Sequence, residues 1–556
     1  MKRFFILSII LSAFLYALPA KIESFITKST IPKKDISLYI KSLNDNSVVA
    51  SLNPHTSRLP ASVMKLFTTY AIVRKLGFDY KIPTDFYIKG TISGGVLDGD
   101  LIIKAYGDPT YKSKDLDEIV KLLQSKNIRK ITGNIIIDRS YFKVSGKNNS
   151  GFDEHKYSPY NAMPDAMMFN QRVSTICVVP NKNKAYTKGN DKSIIIHDEL
   201  KKVNKSCKGK YSWPYQKIDD SYTPTHIWLK GKISKRCGKR ELREVVTKPY
   251  LSLYYELKSK LNDANIEYSG NLKLSRVPKG ARFLYRHHSS TLEKIVSITA
   301  KKSNNLFARQ LMLILGAKVY GPPATLQKGE DAIKQILRAN HINFADFLHI
   351  DNGCGLSRSS RVDAMSLTHL LEVAYKQYGK RWMKTLSIAG VDGTIKRRFR
   401  GSVAQNRAWM KTGTLKRVKN IAGYVKAKDG KLYSVVILVN TRRGNFRASA
   451  LQNNIIKWLV TYKGNKSQDI LEKALDAEES QEQSMGEEYF IQTGSFTQTP
   501  PQRYLQRIKE LGYEYKIKGT SPIKVQIGPF HSKADAKKEL DRIKEEINSN
   551  AFVVGE

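Results

Sequence analysis

A serine and a lysine three residues apart, Ser62 and Lys65, have the spacing needed for nucleophilic chemistry. Residues at positions i and i+3 of a helix lie on one face with their Cβ atoms about 5–6 Å apart, so the amine can reach the hydroxyl. A lysine acts as a base only when it is neutral, so the site must lower the pKa of Lys65 through burial and a second nearby cation. The pattern alone is weak evidence, because Ser-x-x-Lys also occurs at 140–143 and 521–524.

Two further polar side chains with possible catalytic or binding roles lie at the start of a predicted amphipathic helix, near residue 305. Ser303 supplies a hydroxyl that could relay a proton, and Asn305 supplies an amide that could hold a substrate carbonyl. The alternative for the pair is an ordinary helix N-cap.

The chain contains a single Lys-Thr-Gly triplet, in the segment Lys-Thr-Gly-Thr at 411–414. It lies on a short predicted strand, where Lys411 would be the second cation and Gly413 would permit close approach of another group. The hydroxyls of Thr412 and Thr414 could bind a carboxylate. The alternative is the end of a surface strand in a chain rich in lysine.

These segments must be positioned by elements that the residue pattern predicts. Residues 35–52 alternate as a hairpin, and a helix follows from about residue 62 to a stop at Gly77. Residues 82–276 are rich in strands and turns and indicate one or two inserted β-rich domains. Helical spacing returns near 292 and over 305–315, and a second hairpin over 420–439 precedes an amphipathic stretch over 451–459. The main domain is therefore predicted to begin and end with paired strands, over 21–81 and 277–461.

A separate small module is predicted at the C-terminus, over 487–556, after an acidic linker over 462–486. The segment Ile-Gln-Thr-Gly-Ser-Phe at 491–496 is echoed by Val-Gln-Ile-Gly-Pro-Phe at 525–530, and each precedes a helix-like stretch. Two copies are too few for a solenoid. The pattern favours a β-α-β-β-α-β module.

Composition restricts the class of protein. The chain has 556 residues, enough for about four folding units. With 41% hydrophobic and 10% aromatic residues it can pack real cores, which excludes a disordered or collagen-like chain. The formal charge of +44 favours an anionic partner such as nucleic acid, lipid headgroups or a cell-wall polymer, with solvated lysine-rich faces as the alternative.

The N-terminus reduces these alternatives. Lys2 and Arg3 precede an apolar run over 4–18, which is too short to span a bilayer comfortably and ends in small residues. It predicts a secretory signal over 1–20, cut near Ala17 or Ala20. We therefore expect a periplasmic protein, and nucleic acid is not an expected partner.

The cysteines and histidines do not indicate a metal or cofactor site. Four cysteines in an oxidising compartment allow three fully paired connectivities, and Cys207 with Cys237 is preferred because both lie in one lysine-rich region. No cysteine pair has the spacing of a zinc or redox site.

The order of the three motifs, Ser-x-x-Lys, Ser-x-Asn and Lys-Thr-Gly, is typical of class A β-lactamases and penicillin-binding proteins. The long gap between residues 62 and 303 resembles the class C low-molecular-mass penicillin-binding proteins, the D-alanyl-D-alanine carboxypeptidase/endopeptidase family, which carry a large insertion there. The similarity spans about 33–460 and includes the segments 106–109, 351–358, 389–394 and 420–424. Cys354 is a departure, because the family usually has a small hydroxyl residue in that turn. The terminal module resembles a SPOR domain, a family that binds glycan strands stripped of their peptides.

The resemblance implies a transpeptidase-like domain, an antiparallel sheet flanked by helices, with the β-rich insertion and the SPOR-like module appended. Its implied substrates are peptidoglycan stem peptides ending in D-Ala-D-Ala, with β-lactams as covalent inhibitors, no cofactor and no metal. The implied catalytic residues are Ser62, Lys65 and Ser303, and the implied substrate-binding residues are Asn305, Lys411, Thr412, Gly413 and Thr414. A non-catalytic wall-binding protein and a β-lactamase are the alternative functions.

Overall fold

The computed structural model describes residues 18–189, 191–464, 488–530 and 532–555. The chain forms two compact units, one up to Tyr462 and one from Lys463 onward. Within the described residues, no helix is both long and apolar enough to cross a bilayer. Residues 1–17 of the predicted signal lie outside the described residues, and so does most of the predicted acidic linker.

The first unit contains nine α-helices in the part of the chain described. They are α1 (Ala20–Ser29), α2 (Lys65–Leu76), α3 (Leu116–Ser125), α4 (Pro249–Asp263), α5 (Leu292–Lys301), α6 (Asn305–Tyr320), α7 (Leu326–Ala339), α8 (Ala364–Met383) and α9 (Asn445–Thr461). A 3₁₀ turn, Ala61–Met64, leads directly into α2.

The described residues of the first unit also contain 21 strands. They are β1 (Ile36–Ser42), β2 (Val48–Leu52), β3 (Lys81–Ser93), β4 (Val96–Ala105), β5 (Lys130–Ile131), β6 (Ile135–Asp138), β7 (Ser174–Val179), β8 (Lys184–Thr187), β9 (Ile194–Asp198), β10 (Lys201–Val203), β11 (Tyr215–Asp219), β12 (Thr225–Lys230), β13 (Lys232–Ser234), β14 (Arg240–Glu244), β15 (Glu267–Tyr268), β16 (Leu272–Leu274), β17 (Arg282–Thr291), β18 (Ser387–Ile388), β19 (Ala408–Leu415), β20 (Val418–Lys426) and β21 (Leu432–Asn440).

A six-stranded antiparallel sheet, in the order β18-β19-β20-β21-β1-β2, forms the centre of the first unit. Both predicted hairpins belong to it, and β1 pairs with β21, so the two ends of the unit meet in one sheet. Strand β21 is buried along almost its whole length. That burial arises because α1 and α9 pack on one face of the sheet while α2 and α8 pack on the other.

The inserted region is rich in strands, as predicted, and contains two helices, α3 and α4. Strands β3–β6 and β15–β17 form a seven-stranded sheet. Its apolar side chains share one continuous core with α2 and α6. The smaller sheets, β7 to β14, have a separate core that includes Ile176 and Ile227. The boundaries at 82 and 276 stay predictions.

A disulfide joins Cys207 to Cys237 beside this smaller core, across a separation of 30 residues. The preferred pairing is thus confirmed. Cys177 and Cys354 are buried and free.

The second unit has the predicted β-α-β-β-α-β order. Its elements are β22 (Tyr489–Phe496), α10 (Gln502–Glu510), β23 (Tyr515–Lys518), β24 (Ile523–Phe530), α11 (Lys533–Glu546) and β25 (Phe552–Gly555). The two echoed segments fall on β22 and β24, which pair antiparallel at the centre of the four-stranded sheet, with Ile491 opposite Ile527. Both isoleucines are buried in the module's core. The predicted fold class is confirmed for both units.

Candidate active site

Ser62 lies on the 3₁₀ turn that precedes α2, and not in the first turn of the α-helix as the spacing predicts. The pairing with Lys65 survives because side chains at i and i+3 of a 3₁₀-helix are eclipsed. The Lys65 Nζ donates to the Ser62 Oγ at 2.9 Å. The helix ends at Gly77, as predicted.

Lys65 is fully buried and donates three hydrogen bonds. Besides Ser62, its Nζ contacts the Asn305 Oδ1 at 2.7 Å and the Cys354 carbonyl at 2.6 Å. Burial lowers the pKa of Lys65 to about 8; the neighbouring Cys354 opposes this shift and the Arg309 guanidinium adds to it. A lysine with this pKa is partly neutral near pH 7, as a general base must be.

Arg309 is a cation near this site that the sequence analysis missed. It lies on α6 with only 2% of its surface exposed, and its Nη1 donates to the carbonyl oxygens of Asn161 and Ala162 at 3.3 and 2.6 Å. The signal was present: Arg309 is the single charged residue in the first three turns of α6, most of whose residues are apolar. The second cation acting on Lys65 is therefore Arg309, where Lys411 was expected.

Lys411 lies at the middle of β19 and is also fully buried. Its Nζ donates to the Ser303 Oγ at 2.9 Å and to the Thr412 carbonyl at 2.7 Å. Burial, and then the charge of Lys65, hold the pKa of Lys411 well below its ordinary value. The charge of Lys65 thus acts on Lys411.

Ser303 is not the N-cap of α6. Asn304 takes that role, accepting a hydrogen bond from the Phe307 nitrogen at 3.1 Å. Ser303 has a left-handed backbone conformation, with φ at 53°, and its hydroxyl contacts Lys411. The ordinary N-cap alternative therefore does not account for Ser303.

Strand β19 leaves one edge open beside Ser62. On this side β18 covers only Trp409 and Met410, so from Lys411 to Leu415 no described strand pairs with the edge. Gly413 lies against the turn that bears the serine: a Cβ added there would be 2.8 Å from the Pro60 oxygen and 2.9 Å from the Ser62 nitrogen. Only glycine lets the strand approach this closely.

The two threonines of the triplet segment have different partners. The Thr412 Oγ1 donates to the Thr394 Oγ1 at 2.8 Å, and the Thr414 Oγ1 accepts from the Lys419 Nζ at 3.1 Å. Both threonines lie on the open part of β19.

Asn420 holds the chain immediately before Ser62. It is fully buried on β20, and its Nδ2 donates to the carbonyl oxygens of Leu59 and Pro60 at 2.8 and 2.9 Å. Its Oδ1 accepts from the Val439 nitrogen at 2.9 Å. The segment 420–424 was noted only as a similarity; here it fixes the serine turn to the sheet.

The structure brings the predicted site residues into one cleft between α2, α6 and β19. Direct hydrogen bonds join Lys65 to Ser62 and Asn305, and Lys411 to Ser303. Gly413 packs on the Ser62 backbone, with Thr412 and Thr414 on either side of it along the strand. Within the described residues, no cluster of three or more His, Cys, Asp or Glu side chains could hold a metal ion.

Comparison with known proteins agrees with this geometry. Residues 18–462 match the D-Ala-D-Ala carboxypeptidase 3 (S13) family, and residues 486–555 match the SPOR domain. The D-alanyl-D-alanine carboxypeptidase DacB of Haemophilus influenzae is 26% identical over 464 residues, covering 79% of this chain and 94% of that protein. The D-alanyl-D-alanine carboxypeptidase of Actinomadura sp. strain R39 is 25% identical over 425 residues, covering 74% and 78%.

A solved structure shows the same similarity. The crystal structure of penicillin binding protein 4 (dacB) from Haemophilus influenzae superposes with a TM-score of 0.67 at 25% identity, covering 79% of this chain and 99% of that one. The same protein has been solved in complex with a β-lactam, with a TM-score of 0.65.

Proposed function

Since the chain belongs to the D-Ala-D-Ala carboxypeptidase 3 (S13) family and carries a SPOR domain, we propose that it is a serine-type hydrolase of peptidoglycan stem peptides ending in D-Ala-D-Ala. Carboxypeptidase action, D,D-endopeptidase action, or both, fit this site. The observation that carries the proposal is the contact of the buried Lys65 amine with the Ser62 hydroxyl at 2.9 Å.

Acylation begins with proton transfer. The neutral Lys65 amine takes the proton of Ser62, and the Ser62 Oγ attacks the carbonyl carbon of the penultimate D-Ala. The backbone N–H groups of Ser62 and Thr414 stabilise the negative charge on the carbonyl oxygen. Gly413 supports this arrangement, because it lets β19 lie against the Ser62 nitrogen.

The leaving group departs from the other side of the cleft. Ser303, held by Lys411, passes a proton to the amine as the peptide bond breaks, so that D-Ala or a crosslinked peptide leaves. Lys411, Thr412 and Thr414 bind the terminal carboxylate, and Asn305 orients the peptide. Water then hydrolyses the acyl-enzyme and regenerates Ser62.

The open edge of β19 supports binding of an extended peptide. Main-chain hydrogen bonds along such an edge add the ligand as a further strand. Thr412, Gly413 and Thr414 all lie on this open stretch, so the carboxylate-binding groups and the strand edge form one continuous surface.

The second unit directs the enzyme to the wall in this proposal. Its match to the SPOR domain supports binding to glycan strands that lack peptides. Together with the secretory signal predicted from the sequence, this match supports a periplasmic protein that is associated with the cell wall. β-Lactams act as covalent inhibitors by acylating Ser62.

Labelling with fluorescent penicillin tests the nucleophile. We expect the native protein and Ser140→Ala to be labelled and Ser62→Ala to remain unlabelled. Ser140 is the matched control because it begins another Ser-x-x-Lys segment. Labelling of Ser62→Ala equal to that of the native protein, or absence of labelling throughout, contradicts the proposal. Rapid turnover of the penicillin, in place of a stable adduct, would identify a β-lactamase.

Retention on peptidoglycan tests the second unit. A chain that stops at residue 486 is expected to lose binding to amidase-treated sacculi while keeping penicillin labelling. Undiminished retention would remove the targeting role.

A further inference from the structure

Three consecutive residues of the inserted region have left-handed backbone conformations. Asn170, Gln171 and Arg172 have φ values of 46°, 55° and 58°, and none of them is glycine. Residues with a side chain adopt this conformation only where their surroundings hold them in it, and they cluster at ligand-binding and switch regions. The left-handed turn (Asn170–Arg172) therefore has the backbone strain of a functional segment.

The left-handed turn contacts the Ser-x-Asn motif. The Gln171 Oε1 accepts a hydrogen bond from the Asn304 Nδ2 at 3.3 Å. Asn304 stands between Ser303 and Asn305, and its own side chain caps α6. A change in the position of Gln171 thus acts directly on the residue that sets the start of α6.

The same turn borders a cavity of about 430 Å³, a volume typical of small-molecule sites. Asn170 and Gln171 both line this cavity, together with the exposed cations Lys112, Lys188 and Arg243. Within the described residues none of the three cations forms an ion pair, although three other lysines of the same region do. The cavity wall therefore carries positive charge that the protein does not neutralise.

The carboxylates at the cavity already have partners. Asp191 accepts hydrogen bonds from the Ser174 hydroxyl and the Ser193 nitrogen, both at 3.0 Å. Glu256 accepts from a serine hydroxyl. Glu241, which interacts electrostatically with two of the three cations, is paired with a lysine that does not line the cavity. These carboxylates thus offer few free acceptors to a ligand.

The amide donors at the cavity are free. The Asn170 Oδ1 accepts from the Ser113 nitrogen at 3.2 Å, and the Gln171 Oε1 accepts from Asn304. Neither amide nitrogen has a hydrogen-bond partner in the part of the chain that the structure describes. Together with the three cations they make a donor-lined cavity. Such a site selects a ligand that is anionic and rich in acceptor oxygens.

We propose that the donor-lined cavity binds an acidic amino sugar of the wall glycan, with a free lactyl carboxylate, and that its occupancy stabilises the contact between Gln171 and Asn304. The carboxylate pairs with the cations, and the hydroxyl and acetamide oxygens accept from the two amides. An acceptor bound at the Gln171 Nε2 leaves the Oε1 bonded to Asn304 and polarises that bond. The binding site is independent of the proposed function, whereas the effect on catalysis rests on it.

The test uses the full chain and, as the probe, the disaccharide N-acetylglucosaminyl-N-acetylmuramic acid. In the native protein we expect it to bind in calorimetry and to raise the rate of acylation by fluorescent penicillin about twofold. In Lys188→Ala/Arg243→Ala the affinity should fall about tenfold, and the ratio of the rates with and without the disaccharide should return to one. The matched control is Lys182→Ala/Lys201→Ala, two exposed lysines of the same region outside the cavity. Because the second unit is identical in every variant, a difference among them reports on the cavity.

Each other outcome has a definite meaning. Equal affinity of the native protein and Lys188→Ala/Arg243→Ala overturns the site. Equal binding of the neutral disaccharide chitobiose overturns the preference for an acidic sugar. If inorganic phosphate at the same concentration produces the whole response, the cavity takes a small anion and the saccharide assignment is wrong. Binding without any change in acylation overturns the link to Asn304. Failure of the proposed function appears separately, as a native protein that does not react with penicillin in the absence of the disaccharide.

Discussion

The rate at which Ser62 is acylated is expected to follow the deprotonation of Lys65. Burial lowers the pKa of this amine from 10.5 to about 8. At pH 7 about one tenth of the molecules then hold a neutral Lys65, against about 0.03% at the ordinary pKa, which is a gain of about 300-fold in active base. The lowered pKa is therefore one contribution that the fold makes to activating the serine.

The expected pH profile follows with a definite sign. Lys65 acts as a base only in its deprotonated form, and the fraction in this form rises with pH. Acylation should therefore rise about tenfold from pH 6 to 7 and about fivefold from pH 7 to 8, then level off above pH 9. Stopped-flow measurement of acylation by a fluorescent penicillin, at a subsaturating concentration between pH 5.5 and 9.5, gives the profile.

Two variants distinguish the titration of Lys65 from that of other groups. Arg309→Met removes a cation that lowers the pKa of Lys65, so the midpoint should move to higher pH. Lys65→Met should abolish the rise altogether. A native profile that is flat between pH 6 and 9, or a midpoint unmoved by Arg309→Met, would refute the argument.

Three further substitutions test the contacts that support the site and the inserted region. Gly413→Ala should lower acylation by tenfold or more without unfolding the protein, because the new Cβ would lie 2.9 Å from the Ser62 nitrogen; a penicillin-labelling rate equal to that of the native protein would contradict the close approach. Asn420→Ala should reduce the free energy of unfolding by about 3 kcal/mol, since it removes three hydrogen bonds, two donated to the Leu59 and Pro60 carbonyls and one accepted from the Val439 N–H. Urea denaturation measures this loss, and a change below 1 kcal/mol would mean that the contacts are dispensable. Replacing Cys207 and Cys237 by serine should destabilise the small sheets of the insertion by about 3–4 kcal/mol, from the loop of 30 residues that the disulfide closes. Hydrogen exchange should locate that loss in residues 174–246 while Ser62 is still labelled; loosening around α2 instead would contradict a local effect.

Local residue patterns predicted most of the fold. The two runs within 420–439, separated by a turn at Asp429 and Gly430, correspond to β20 and β21, and the echoed segments of the second unit correspond to its two central strands. These elements are predictable because short runs of apolar and β-branched residues bounded by turn residues favour strands, including strands that are buried on both faces. Even the placing of Lys411 on a strand followed from this reasoning.

The details that long-range contacts decide were not predictable in the same way. The serine turn is 3₁₀, and Ala61 within it has a φ of 47°. Its neighbours are distant in sequence: Gly355, whose added Cβ would meet the Ala61 oxygen, and Gly413. The Cys354 carbonyl that accepts from Lys65 carries no side-chain signal at all. A sequence motif identifies the side chains that can take part in the chemistry. The backbone groups that contact those side chains are known only from the folded structure.

The pairing of β1 with β21 has a consequence for the folding polypeptide. Ile36 lies opposite Val439, and Asn420, which holds the turn before Ser62, arrives with the same late strands. A chain emerging N-terminus first therefore presents its serine long before the groups that would make it reactive. Until the last hairpin docks, the environment of Ser62 is incomplete, and it remains incomplete in any fragment that ends before that hairpin.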